Sequence, residues 1–165
     1  MDKTLKDRIL NRLRNACSRR EYCSSDILSK ASSALVSAGE PEETVASSAY
    51  EILESLTKDG YVDDMRYACA FVRDKSSLTG WGSVKIRYAL QAKKLDVEII
   101  NAAIQAADPQ RSQERLRKIA EAKYRSIKED PSCRLKLLRF ILGRGYSYQE
   151  AAPVVDSICR GGQNE

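Results

Sequence analysis

Apolar residues recur every three or four positions along almost the whole chain, with no sustained alternation of period two, so the pattern predicts helices and no sheet. Leu5, Ile9, Leu13 and Ala16 form the apolar stripe of a first helix whose other faces carry Lys6, Arg8, Arg12 and Arg14. A second helix begins near Ser24 or Ser25, either of which can cap it, and ends by Gly39. Pro41 reads as the first residue of a third, with Glu42 and Glu43 at its positive end, Val45, Ala49, Ile52 and Leu56 inward, and Gly60 as its stop.

The same grammar continues. Asp63 or Asp64 caps a fourth helix, with Tyr67, Cys69, Ala70 and Phe71 on its apolar face, that runs to about Lys75. Gly80, Trp81, Gly82 and Ser83 make a turn and cap before a fifth with Val84, Ile86, Ala89 and Leu90. Asp96 starts a sixth with Ile99, Ile100, Ala103 and Ile104 inward, and Asp108-Pro109 starts a seventh with Leu116, Ile119, Ala120 and Ile127. Asp130-Pro131 repeats that signal for an eighth, with Leu135, Leu138 and Ile141 inward and Gly143 and Gly145 as stops. Ser147 to Glu150 is a capping box for a ninth containing Val154, Val155 and Ile158. Pro153 falls beyond its first turn, which predicts a later start or a bend.

Nine helices suggest three groups of three. Leu90-x-x-x-Lys94-Leu95-Asp96 aligns with Ile141-x-x-x-Gly145-Tyr146-Ser147, each a helix end, an apolar residue and a cap, while Leu35-x-x-x-Gly39 supplies a looser copy followed by Glu40-Pro41. The expected architecture is all-α: three tandem three-helix units, residues 1–60, 61–108 and 109–160, with a disordered tail at 161–165, forming an elongated helical repeat protein.

Charge sharpens this picture more by its distribution than by its total. The net charge is +5, yet residues 1–20 carry seven basic and two acidic groups, 21–64 two and ten, 65–110 seven and four, and 111–165 twelve and seven. Basic blocks beside an acidic one point to an acidic or polyanionic partner. No run of 18 apolar residues occurs, and the opening MDKTLKDRILNRL mixes charge with apolar residues, which predicts a soluble, cytoplasmic protein without membrane contact and, by default, a monomer.

Candidate catalytic chemistry is sparse. Five cysteines at 17, 23, 69, 133 and 159 contain no Cys-x-x-Cys pair and histidine is absent, which removes the usual zinc spacings and any histidine-based nucleophile arrangement. Asp63 and Asp64 read as helix-start residues, as do Glu42 and Glu43, because neighbours on a helix point in different directions. Gly80-Trp81-Gly82 lacks the Gly-Lys-Ser/Thr ending of a nucleotide-phosphate loop. Neither an enzyme nor a cofactor is predicted.

Basic residues interleaved with aromatics are the positive signal, since such a mixture meets phosphates by charge and rings by stacking. Arg66, Arg73, Lys75, Lys85, Arg87, Lys93 and Lys94 fall on two consecutive helices beside Tyr67, Trp81 and Tyr88. Further on, Arg134, Lys136, Arg139 and Arg144 stand near Tyr146 and Tyr148. Tyr67, Phe71 and Tyr146 are expected in the core, while Trp81 in its glycine turn fits core or surface equally. The candidate partner-binding residues are therefore Arg66, Arg73, Lys75, Trp81, Lys85, Arg87, Lys93, Lys94, Arg139, Arg144 and Tyr148.

In order and spacing, Gly60-Tyr61-Val62-Asp63-Asp64, Arg66-Tyr67-Ala68, Phe71-Val72-Arg73, Gly80-Trp81-Gly82, Lys85-Ile86-Arg87 and Leu90, with Arg144-Gly145-Tyr146-Ser147-Tyr148 later, resemble the RecX family of regulatory proteins. The serine-rich second helix, Glu40-Pro41 and Lys94 depart from its usual pattern, Lys94 standing where a glycine is typical. The resemblance implies a helical modulator that lies along the groove of a RecA filament and alters filament growth, ATP hydrolysis, strand exchange and co-protease activity in recombination and SOS repair, mostly by inhibition. It also implies RecA and its DNA filament as partners, with weak DNA binding. The alternative reading of the basic helices is a tandem helical DNA- or RNA-binding protein that acts without RecA.

Overall fold

Three of the predicted helix ends close in the same unusual backbone conformation. Gly39, Lys94 and Gly145, which occupy matching places in the repeat, have φ of 81°, 59° and 93°, the left-handed region. In each case a fully buried aliphatic residue, Leu35, Leu90 or Ile141, lies four positions earlier. The repeat seen faintly in the sequence is thus a repeat of geometry: a buried anchor in the last helical turn, then a left-handed residue that redirects the chain.

The computed structural model describes residues 3–162, and among them all regular structure is helical: α1 Lys3–Arg19, α2 Ser24–Ser37, α3 Glu42–Lys58, α4 Asp64–Ser77, α5 Ser83–Ala92, α6 Val97–Gln105, α7 Pro109–Ile127, α8 Cys133–Gly143 and α9 Tyr148–Gly161. The chain forms two compact units, one running up to Ala70 and including Gln91–Ile100, the other containing Phe71–Leu90 and Asn101 onward. The residues of α4, α5 and α6 are divided between them.

In the first unit, α1, α2 and α3 bury Ile9, Leu10 and Leu13 against Ile27, Ala31, Leu35, Val45, Ala49, Ile52, Leu56 and Val62. In the second, α7, α8 and α9 close around Leu116, Ala120, Leu137, Leu138, Ile141, Tyr146, Ala151, Val155 and Ile158. Burying a large aliphatic side chain contributes roughly 1.5–3 kcal/mol, so each set is a substantial core.

Several local expectations shift once tertiary contacts are present. Neither Ser24 nor Ser25 caps α2; Cys23 takes that position, with its N–H donating to Asp26 Oδ2 at 3.4 Å, while Ser25 Oγ donates to the Lys93 carbonyl at 2.6 Å. Pro41 precedes α3 rather than opening it. Asp130-Pro131 forms a turn before α8, because Asp130 Oδ1 accepts from the Ser132 N–H at 2.8 Å and its carbonyl accepts from Cys133 at 2.9 Å. Pro153 neither delays nor ends α9, since the capping box of Ser147 and Glu150 forms as expected and the helix runs through it.

The inward faces also rotate slightly. On α4 the buried residues are Tyr67, Ala68 and Val72, on α5 Ile86 and Leu90, and on α8 Leu137 joins Leu138 and Ile141, while Val84 and Leu135 are exposed. The predicted tail at 161–165 is partly helical: Gly161 closes α9 and Gly162 caps it, and residues 163–165 lie outside the described residues.

Candidate interaction surface

The central Gly60–Leu95 stretch divides into two kinds of residue. At its start, Asp63 Oδ1 accepts the Arg66 N–H at 3.0 Å and so caps α4, while Asp64 Oδ1 accepts the Ser24 N–H at 2.8 Å, tying α4 to the start of α2. Arg66 donates to Glu21 Oε1 at 2.6 Å and to the carbonyls of Gly60 and Tyr61 at 3.1 and 3.4 Å. Lys93 Nζ donates to Asp26 Oδ1 at 2.7 Å, and Lys94 occupies the left-handed turn with its N–H on the Gln91 carbonyl at 2.9 Å. Arg66, Lys93 and Lys94 are therefore engaged in shaping the first unit.

The second kind gathers around Trp81. The Lys75 and Lys85 ammonium groups lie 4.7 and 4.6 Å from the centre of the Trp81 ring, and Phe71 meets that ring edge-on at 6.4 Å and 67°. Trp81 is only partly buried, so a ring with two cations beside it reaches the surface. Each such cation–ring contact contributes about 0.5–1 kcal/mol at an exposed site.

Backbone contacts hold this turn in place. The Trp81 N–H donates to the Lys75 carbonyl, Gly82 to Arg144 and Val84 to Gly145, all at 2.9 Å. Arg144 returns the contact with Nη1 on the Thr79 carbonyl at 3.0 Å, while its guanidinium lies 5.4 Å from the Phe140 ring, which also has Lys123 at 5.1 Å. The result is a second ring with two cations, linked to the first through Arg144.

Other predicted residues stand apart from this patch or in secondary roles. Arg73 is exposed beside Asp74 at 3.6 Å, Arg87 is hydrogen-bonded to Asn101, and Arg139 and Tyr148 are exposed. Arg134 pairs with Asp156 at 2.8 Å, and Lys136 pairs with Asp130. Tyr67 and Tyr146 are buried, as expected for core residues, and burial pushes both phenols above their ordinary range. Sequence reasoning missed Phe140 and Lys123; the spacing of Phe140 and Arg144, one helical turn apart, was the available signal. It also missed Tyr22 in the first unit, whose ring has Arg20 at 4.6 Å and Lys30 at 5.1 Å.

Among the described residues, repeated helical grammar and a basic aromatic turn locked by glycine contacts define an all-α helical repeat protein. No helix of the described residues is long and apolar enough to cross a membrane. Residues 63–104 match the family described as RecX, second three-helix domain. The chain is 30% identical over 132 residues to the regulatory protein RecX of Chromohalobacter salexigens, covering 80% of both chains. It is 32% identical over 113 residues to the regulatory protein RecX of Clostridium acetobutylicum, covering 65% of this chain and 52% of that one. The chain spans about half the length of the clostridial relatives it matches, 46–56%. The crystal structure of RecX from Lactobacillus salivarius has the same fold, with a TM-score of 0.79, 20% identity, and 94% of this chain and 97% of that one covered. The chain belongs to the RecX family of regulatory proteins.

Proposed function

We propose that this chain regulates the RecA recombinase by binding RecA and its nucleoprotein filament, restraining filament extension, ATP hydrolysis, strand exchange and co-protease activity during recombination and SOS repair. The observation that carries the reading is the Trp81 turn, a partly exposed ring with Lys75 and Lys85 beside it, pinned by backbone hydrogen bonds to the Arg144-Gly145 turn. A surface of that kind suits an acidic or phosphate-bearing partner, and a rigid turn lowers the entropy lost on binding. Family membership supports RecA as that partner.

In this reading the chain acts by binding, as a cytoplasmic monomer, and shifts RecA between states by binding them unequally, so ATP belongs to the partner. The contact face comprises Arg73, Lys75, Trp81, Lys85, Arg87, Arg139, Arg144 and Tyr148, while Arg66, Lys93 and Lys94 order the first unit and stand outside that face. The middle three-helix segment, residues 61–108, carries the principal contacts, flanked by units at 1–60 and 109–160. The test is a titration of the chain into RecA on single-stranded DNA. Hydrolysis should fall at substoichiometric ratios, and unchanged hydrolysis and filament length at every ratio would refute the proposal.

The paired cations at Trp81 and Phe140 also favour a second reading, direct contact with DNA or RNA without RecA. That reading requires binding to nucleic acid alone whose affinity falls steeply with salt.

A further inference from the structure

The α8–α9 hairpin turns over only Arg144 to Ser147, and a connection this short makes its helices antiparallel neighbours. Residues at matching distances from the turn then face one another. Ile141 and Ala151 form the innermost such pair and Leu137 and Val155 the next, and all four are fully buried in one core cluster. One helical turn further out, the matching positions are Cys133, the first residue of α8, and Cys159, near the end of α9. The flanking ion pair of Arg134 Nε and Asp156 Oδ1 at 2.8 Å shows that these helix ends meet.

Both thiols are free and half-buried, Cys159 against the edge of the core. Burial first, and then the adjoining Cys133, push the Cys159 thiol above its ordinary value. The matching register of the two helices and the Arg134–Asp156 pair beside them place the two cysteine side chains in the same neighbourhood. Neither residue is among the contacts of Trp81.

We infer that Cys133 and Cys159 are an oxidant-sensitive dithiol that closes to an intrachain disulfide, stapling α8 to α9. The oxidant class is a peroxide. The Cys133 thiolate attacks one peroxide oxygen, the O–O bond breaks, and Cys133 becomes a sulfenic acid as hydroxide leaves to form water. The Cys159 sulfur then attacks the sulfenic sulfur, the S–S bond forms, and the departing hydroxyl takes the Cys159 proton as a second water. Two thiols are oxidised by two electrons and one peroxide is reduced to two waters. Burial disfavours the Cys159 thiolate, which makes this sulfur the poorer attacker of peroxide and assigns the first step to Cys133. A thiol reductant reverses the closure.

The experiment treats the reduced full chain with stoichiometric hydrogen peroxide and maps its thiols by mass spectrometry. The expected product has lost two hydrogens, carries a peptide crosslink between Cys133 and Cys159, and keeps Cys17, Cys23 and Cys69 as thiols. Because the crosslink constrains the unfolded chain, the melting temperature rises by about 5 °C and returns on reduction. In the Cys159→Ser variant, Cys133 accumulates as a dimedone-reactive sulfenic acid. Crosslinks to other cysteines, disulfide-linked dimers, a chain that retains all its thiols, or failure of Cys133 in that variant to react with dimedone would each overturn the inference.

Discussion

Gly82 and Gly145 approach each other so closely that a Cβ on Gly82 would lie 2.4 Å from the carbonyl carbon and oxygen of Gly145. A Cβ on Gly145 would fall 2.2 Å from Lys85 Cβ and 2.8 Å from the Lys85 nitrogen. The two family-like turns, distant in sequence, are one backbone-to-backbone joint, sealed by the Gly82 to Arg144 and Val84 to Gly145 hydrogen bonds.

Gly82→Ala should therefore lower stability by at least about 2 kcal/mol, because the atoms it meets are backbone and cannot swing aside. Gly145→Ala should cost at least as much, since its φ of 93° adds strain to the clash. Urea denaturation measures both. Alanine at Gly143, where a Cβ meets nothing within 4 Å, is the control and should be close to neutral. Equal midpoints for all three variants would show that the joint is loose.

Lys94 holds a left-handed conformation at φ 59° that costs a residue with a Cβ about 1 kcal/mol. Lys94→Gly should raise stability by about 0.5–1 kcal/mol, whereas Lys94→Ala should change it little. The two variants separate backbone strain from the lysine side chain: a gain shared by both would mean the charge, not the torsion, is unfavourable.

The Asp26–Lys93 pair makes the first unit acid-sensitive. Burial alone would raise the Asp26 carboxyl, but hydrogen bonds from Lys93 and from Cys23 outweigh it and hold the group below its ordinary 3.8. A depressed carboxylate pKa stabilises the fold above the unfolded value and loses that contribution as pH falls through the folded one. The Lys93 ammonium, raised chiefly by the Asp26 hydrogen bond, is the mirror case, present at neutral pH and lost only in strong alkali. Lys93→Met should flatten the decline of melting temperature below about pH 4. A variant that declines as steeply as the parent would assign that acid sensitivity to other carboxylates.

Trp81 is the single tryptophan, so its fluorescence reports directly on its turn. Binding of RecA filaments should change its emission, and the Lys75→Gln, Lys85→Gln double variant should weaken binding on the order of tenfold with helicity unchanged. Arg66→Ala, which removes contacts within the first unit, should lower stability and leave affinity intact. An emission unaffected by saturating partner would place the interface elsewhere.

The chain's own periodicity determined that it is helical, where most helices begin and end, and which strong aliphatics lie inside, because spacing, capping and glycine act over a few residues. Val45, Ala49, Ile52 and Leu56 fill one face of α3, and Ser147 with Glu150 closes the start of α9, for reasons complete within each segment. The repeat was legible too, since a buried anchor followed by a left-handed turn leaves the same mark each time. What the sequence could not decide was the destination of each basic side chain. Arg66, Lys93, Arg134 and Lys136 look like Lys75 and Lys85 in composition, yet the first four meet Glu21, Asp26, Asp156 and Asp130, and the last two flank Trp81. Most of those partners are remote along the chain, and only the folded structure brings them within hydrogen-bonding distance. The same holds for Gly82 and Gly145: each reads alone as a turn glycine, and the reason neither tolerates a side chain exists only where the two backbones meet.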